Sequence, residues 1–217
     1  MPLGDSITQA DASHDSYRRP LWQMLRGQAV DFVGTRTEHY GGPAPRSDFD
    51  QDHEGHWGWR ADEVLGGVSD WARSQAPDVV LMHLGTNDIL QGESPGAILD
   101  ELDAIVDALR SANPEVRVLV AQIIPTGDAG RNAAVRAFNS GIAGLAARRS
   151  TPRSPVAAVD QYTGFDADAD TYDGLHPNAG GEAKMAARWF DALVPLLRPT
   201  ALPGLLSAGP GEGGAVW

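Results

Sequence analysis

Three short segments of the 217-residue chain carry the residue types that nucleophilic acyl transfer needs. Gly4-Asp5-Ser6-Ile7 offers a hydroxyl, Gly85-Thr86-Asn87-Asp88 a carboxamide, and Asp173-Gly174-Leu175-His176-Pro177 a carboxylate and an imidazole. The reaction uses a serine oxygen as nucleophile, an imidazole to take its proton, a carboxylate to orient the imidazole, and donors for the oxygen that gains charge. The spacing of Asp173 and His176 suits a tight turn in which the carboxylate holds Nδ1 while Nε2 faces the serine. Taken singly, each residue has an ordinary explanation. A serine after glycine is commonly a turn or a helix cap, Asp-Gly is a turn signal, and Asn87-Asp88 serves equally as a cap. Only their convergence in one place would make a site.

The surrounding elements predict that convergence. Apolar, β-rich runs recur at Pro2-Leu3, Ala29 to Val33, Val79 to Leu84, Val116 to Ile124 and Val156 to Val159, too far apart for hairpins. Helical patterns lie between them, at about Tyr17 to Arg26, Ala61 to Arg73, Arg131 to Arg149 and Glu182 to Leu197. The clearest is the one-face stripe Ile98, Leu99, Leu102, Ile105, Val106 and Leu109, with Ser94 as N-cap and Pro95 at the first helical position. Continuous apolar strands imply burial on both faces, so the expected fold is a three-layer α/β/α sandwich with a five-stranded parallel sheet. Ligands of such sheets bind at the carboxyl ends of the strands, where all three segments fall. Gly34 to Trp59 is long, polar and rich in Gly, His and Asp, and is expected to wall the site. Residues 1–198 are read as one catalytic domain and 199–217, with three prolines and five glycines, as a tail without a core. Met1 stands only four residues before Asp5, which leaves no room for a signal peptide; the expectation is a natural chain that begins upstream.

Composition narrows the class. Seventeen Lys+Arg against twenty-nine Asp+Glu give a net charge of −12, which disfavours a nucleic-acid partner. No run approaches the roughly eighteen apolar residues of a membrane helix, and no basic amphipathic stretch points to a membrane surface. The absence of cysteine excludes disulfides and thiolate chemistry and fits a cytosolic or an exported protein equally.

Competing motifs are weaker. Gly92-Glu93-Ser94-Pro95-Gly96 has the letters of a nucleophile elbow but follows no apolar strand, and Ser94 already serves as a cap. His53-x-x-His56 with Asp52 and Glu54 lacks the helical spacing of zinc proteases. Asp166, Asp168, Asp170 and Asp173 alternate as in a calcium loop, yet Thr171 and Pro177 occupy its glycine and glutamate positions. No phosphate-cradling glycine pattern occurs in a strand-to-helix turn, so no nucleotide cofactor is expected; no catalytic metal is expected either, the alternative left open being a structural calcium near Asp166 to Asp170.

With these residues in view, the chain resembles the SGNH (GDSL-type) esterases and lipases. Gly4-Asp5-Ser6, His56-Trp57-Gly58-Trp59, Gly85-Thr86-Asn87-Asp88 and Asp173-Gly174-Leu175-His176-Pro177 match four of their blocks in order, across Pro2 to about Leu197. The resemblance implies the flavodoxin-like SGNH hydrolase fold, with Ser6 as nucleophile, His176 as general base and Asp173 as its orienting acid. It also implies an oxyanion hole from the Ser6 and Gly58 N–H groups and the Asn87 amide. Met1-Pro2-Leu3-Gly4-Asp5-Ser6-Ile7-Thr8, and His53-Glu54-Gly55-His56 leading into Gly58-Trp59, look most like carbohydrate esterase family three, the acetyl xylan esterases. The chain departs from that pattern at Trp57 and Arg60, which bears on the acceptor.

The expected function is therefore a serine esterase that removes short acyl groups, above all acetyl from a carbohydrate, acting on a small-molecule or polysaccharide ester. Asp5, Trp57 and Trp59 are the expected substrate contacts, the alternative for the tryptophans being that they cover the sheet edge. The resemblance leans to an extracellular enzyme. Two rivals stand beside this reading: a thioesterase, lysophospholipase or small-metabolite esterase on the same triad, and a catalytically silent carbohydrate-binding module.

Overall fold

A computed structural model describes residues 1–197; the tail expected at 199–217 lies outside the described residues. Strands run over Pro2–Gly4 (β1), Glu54–Gly55 (β2), Val79–His83 (β3), Arg117–Gln122 (β4) and Val156–Asp160 (β5), all parallel, in the order β2-β1-β3-β4-β5. Helices span Ser6–Gln9 (α1), Arg18–Met24 (α2), Ala61–Gln75 (α3), Thr86–Leu90 (α4), Pro95–Ala112 (α5), Asn132–Arg149 (α6), Ala167–Asp170 (α7) and Ala179–Leu193 (α8). No described helix is long and apolar enough to cross a membrane.

Alternate strand residues point to opposite faces, and here both faces are apolar. Val80, Met82, Val118 and Val120 enter a core shared with Val64 and Val68 of α3, Leu102 of α5 and Phe138 of α6. Leu81, Leu119, Ala121 and Val159 enter the other, against Leu21 of α2 and Met185 and Trp189 of α8. This is the three-layer α/β/α sandwich with a five-stranded parallel sheet. The stripe read in the sequence is the buried face of α5, and Ser94 Oγ accepts the Ala97 N–H at 3.2 Å as its cap.

One expected strand is corrected. Ala29 to Val33 joins no sheet; the β1 edge is occupied instead by Glu54–Gly55, and the His56 N–H donates to the Gly4 carbonyl at 2.9 Å. Phe32 is buried and packs edge-on against Trp22, while its N–H donates to Asp50 Oδ2 at 2.8 Å. Ala29 and Asp31 are exposed, so the run has none of the two-sided burial that its composition imitates. Segment 34–59 thereby supplies an edge strand and then reaches the carboxyl ends of β1 and β3.

Candidate active site

Ser6 stands one residue beyond β1 and opens α1, where the intervening Asp5 acts as N-cap: its Oδ1 accepts the Ile7 N–H at 2.9 Å. The turn leaves no room for a side chain at position 4, since a Cβ on Gly4 would lie 2.4 Å from the His83 carbonyl oxygen. The far end of α1 is held by the buried Arg18, whose guanidinium donates to the carbonyls of Thr8 and Gln9 at 2.9 and 3.1 Å. A short helix that satisfies few of its own carbonyls gains rigidity from such charge-assisted bonds.

The loop after α7 brings in the imidazole. Asp173 Oδ1 accepts the N–H groups of Leu175 and His176 at 2.9 and 2.7 Å, which closes the turn. Its Oδ2 lies 2.7 Å from His176 Nδ1, and His176 Nε2 lies 2.9 Å from Ser6 Oγ. With Nδ1–H donating to Asp173, Nε2 is the acceptor for the Ser6 hydroxyl. Partial burial pushes the Asp173 carboxyl up, but the hydrogen bonds from the His176 N–H and ring outweigh it, and the net shift is downward. Asp173 is therefore an anion at neutral pH, as an orienting acid requires.

The possible oxyanion donors come from two further loops. The Ser6 and Gly58 N–H groups have no hydrogen-bond acceptor among the described residues. Gly58 sits at φ +80°, a left-handed conformation that glycine adopts without strain. Its turn is fixed on both sides: Gln9 Oε1 of α1 accepts the Trp57 N–H at 2.8 Å, and Asn87 Nδ2 of α4 donates to the Trp59 carbonyl at 2.8 Å. That bond uses one Asn87 amide hydrogen and leaves the other for a ligand.

Of the expected substrate contacts, Asp5 is buried while Trp57 and Trp59 are partly exposed. Asp5 is fully buried, and its role is the helix cap. Trp57 stacks on His176 at 4.8 Å between centroids and on Tyr40 at 4.5 Å, so much of its ring surface is engaged by the protein itself. Trp59 stacks on His56 at 4.3 Å and packs against the core. Besides Trp57, three rings that sequence reading does not mark belong to the stack on His176: Tyr172 beside it, Tyr40 on Trp57 and His14 on Tyr172. Tyr172 adjoins the Asp173 block, which was the one signal available.

The rival motifs have local explanations. His53 Nδ1 accepts the Gly55 N–H at 2.9 Å, and His56 Nε2 pairs with Glu54 Oε1 at 2.8 Å while its ring packs on both Trp59 and Trp71. Asp166 caps α7, Asp170 pairs with Lys184 at 2.6 Å, and Asp173 serves His176. These groups therefore do not converge on one ion. Among the described residues, the three carboxylates that do lie within 4.8 Å of one another are Asp88, Glu93 and Glu101.

Buried carboxyls give this fold a distinctive pH response. Burial, reinforced by Asp88 and opposed by the Ile7 N–H, pushes Asp5 up to about 7; burial does the same to Glu182 and Glu101. Each holds a proton in the folded state that the unfolded chain releases near pH 4, so stability is full below that pH and falls as pH rises to about 7. For Asp5 the upper bound is roughly 4 kcal/mol. Thermal unfolding from pH 5 to 8 is expected to show a falling Tm, and Asp5→Asn, which keeps the cap acceptor, to flatten that fall. An unchanged slope in the variant would mean that Asp5 is ionised in the fold.

A model of the GDSL-like Lipase/Acylhydrolase family matches residues 3–184. A multidomain esterase of Ruminococcus flavefaciens is 29% identical over 229 residues, covering 94% of the chain, which spans 29% of that protein's length. Two solved structures superpose with TM-scores of 0.80 at 33% identity, covering 91% of this chain and 96% of theirs. One is an acetyl esterase mutant with an acetate ion, the other a carbohydrate esterase of family 3 from Talaromyces cellulolyticus.

Proposed function

We propose, because the chain belongs to the GDSL-like lipase/acylhydrolase family and is a carboxylic ester hydrolase, that residues 1–198 form a serine esterase removing acetyl groups from carbohydrates through an acyl-enzyme. The observation that carries the mechanism is the continuous relay from Ser6 Oγ through both ring nitrogens of His176 to Asp173, with links of 2.9 and 2.7 Å. Ser6 Oγ attacks the ester carbonyl while its proton passes to His176 Nε2. The oxygen of the tetrahedral intermediate is received by the Ser6 and Gly58 N–H groups and the free Asn87 amide hydrogen. Asp173 offsets the charge on the imidazolium, which then gives its proton to the departing alkoxide. Water, deprotonated by His176, attacks the acetyl-serine, and acetate leaves with the serine hydroxyl restored.

Two observations support a short acyl group. The cavity that touches Ser6, lined also by Ile7, Ala10, His14, Tyr172 and His176, is about 10 Å³, room for no more than one water, so it offers no tunnel to a long acyl chain. The acetyl esterase with its acetate ion and the family 3 carbohydrate esterase point the same way. A long acyl chain gains roughly 0.8 kcal/mol for each methylene it buries, so an apolar tunnel would make kcat/KM climb with chain length. The expected result over p-nitrophenyl esters is the reverse: acetate fastest, butyrate reduced, octanoate near background, with release of acetate from acetylated xylan or acetylated sugars. A maximum at six carbons or beyond would move the substrate to lipids or thioesters and leave the relay untouched.

A further inference from the structure

His176 does not stand alone between Ser6 and Asp173. Five rings form one nearly parallel stack: Tyr40 on Trp57 at 4.5 Å, Trp57 on His176 at 4.8 Å, His176 beside Tyr172 at 5.7 Å, and Tyr172 on His14 at 3.8 Å, with interplanar angles of 18°, 16°, 16° and 6°. Both ends of the stack are tied to the chain that leaves the nucleophile helix. Gln9 Oε1 accepts the Trp57 N–H, the Ala10 carbonyl accepts the Tyr40 N–H at 2.9 Å, and Asp11 takes the Tyr172 hydroxyl at 2.9 Å and the His14 ring at 2.8 Å. Residues 9–11 therefore bracket the rings on either side of the imidazole that Ser6 faces.

We propose that Trp57 and Tyr172 are positioning residues that clamp His176 and stabilise its imidazolium form, a role resting on His176 being the general base. The face of an aromatic ring carries negative charge density, and a cation within about 6 Å of it is attracted. His176 becomes a cation only after it has taken the Ser6 proton, so two such faces stabilise the intermediate and the transition states around it more than the resting enzyme. Such an interaction appears in kcat, with little change in KM. Stacking also holds the ring plane, which keeps Nε2 aimed at Ser6. The ionisable groups facing His176 are Asp173 on its own loop, Tyr172 with His14 and Asp11 beyond it, and Glu182 of α8 in the same small cavity. On the Trp57 side the ionisable group is Tyr40, stacked on the far ring of the pair, and no carboxylate is bonded to either ring there, so that face reads the ring effect with least interference.

Steady-state hydrolysis of p-nitrophenyl acetate from pH 5 to 9 tests this on Trp57→Ala, Trp57→Phe, Tyr172→Ala and His176→Ala, with unfolding curves for each. Trp57→Ala and Tyr172→Ala are expected to lower kcat about two- to thirtyfold each, the range of one cation–π contact, with KM within about twofold. Because the rings favour the protonated imidazole, their loss moves the acid limb of kcat/KM to lower pH. Trp57→Phe, which keeps a ring, recovers most of both effects. Tyr172 is 39% exposed, so its variant folds even where Trp57→Ala does not. A rise confined to KM would make the rings substrate contacts, and unchanged kcat with an unmoved limb in both alanine variants would overturn the clamp. His176→Ala with wild-type rates would instead overturn the general-base reading beneath it.

Discussion

Ser6→Ala is expected to abolish turnover of acetyl esters, with a loss in kcat of at least about 10⁴-fold, while the protein unfolds at the temperature of the parent. The side-chain oxygen of Ser6 makes one described hydrogen bond, to His176 Nε2, and the residue lies at the start of a four-residue helix held by Asp5 and Arg18. Removing the oxygen therefore deletes the nucleophile without opening a core cavity. His176 keeps its bond to Asp173, so the imidazole does not become a stray buried base. What survives is the modest acceleration that the oxyanion donors and substrate binding supply to attack by water. Hydrolysis of p-nitrophenyl acetate, followed with a melting curve on the same sample, checks both halves. Full activity in a folded variant would remove Ser6 from the mechanism.

The second large effect belongs to Asn87. Asn87→Ala is expected to lower kcat by about 10²–10³, the loss typical of one oxyanion donor, with a smaller change in KM. The amide has two hydrogens, and one is spent on the Trp59 carbonyl. The variant thus also loosens the turn that carries Gly58, at a cost of about 1 kcal/mol in stability, and the assay belongs well below its lowered Tm. The two contributions separate in the kinetics. A charge that develops only after attack affects kcat, whereas a displaced binding loop affects KM as well. A loss lying entirely in KM would assign Asn87 to substrate binding.

Where local chemistry is sufficient, the sequence was readable. The α5 stripe with its Ser94 cap follows from periodicity and capping alone, and the continuous apolar runs at Val79 and Val116 announced buried parallel strands. Asp173 and His176 were legible as a pair because both belong to one turn. The misread strand at Ala29 to Val33 shows the limit: an apolar, β-rich run also suits an extended segment anchored by a single residue, here Phe32. The true edge strand, Glu54–Gly55, is two residues long and carries a carboxylate, so no hydropathy pattern marks it. Trp57 and Trp59 were expected to face substrate because residue type says that a ring needs a partner, without saying which. His56 lies in the same short block, but the other partners, Tyr40 and Trp71, come from elsewhere in the chain, and only the fold brings those rings together.

The central claim is that an acyl group resides on Ser6 during turnover. Mixing the protein with p-nitrophenyl acetate, quenching in acid before the steady state and mapping peptides by mass spectrometry tests this most directly. The expected result is a burst of p-nitrophenol stoichiometric with enzyme and one acetyl group on the peptide containing Ser6, both absent in Ser6→Ala. Turnover with no acylated intermediate, or an acetyl group on Ser94 in place of Ser6, would contradict it.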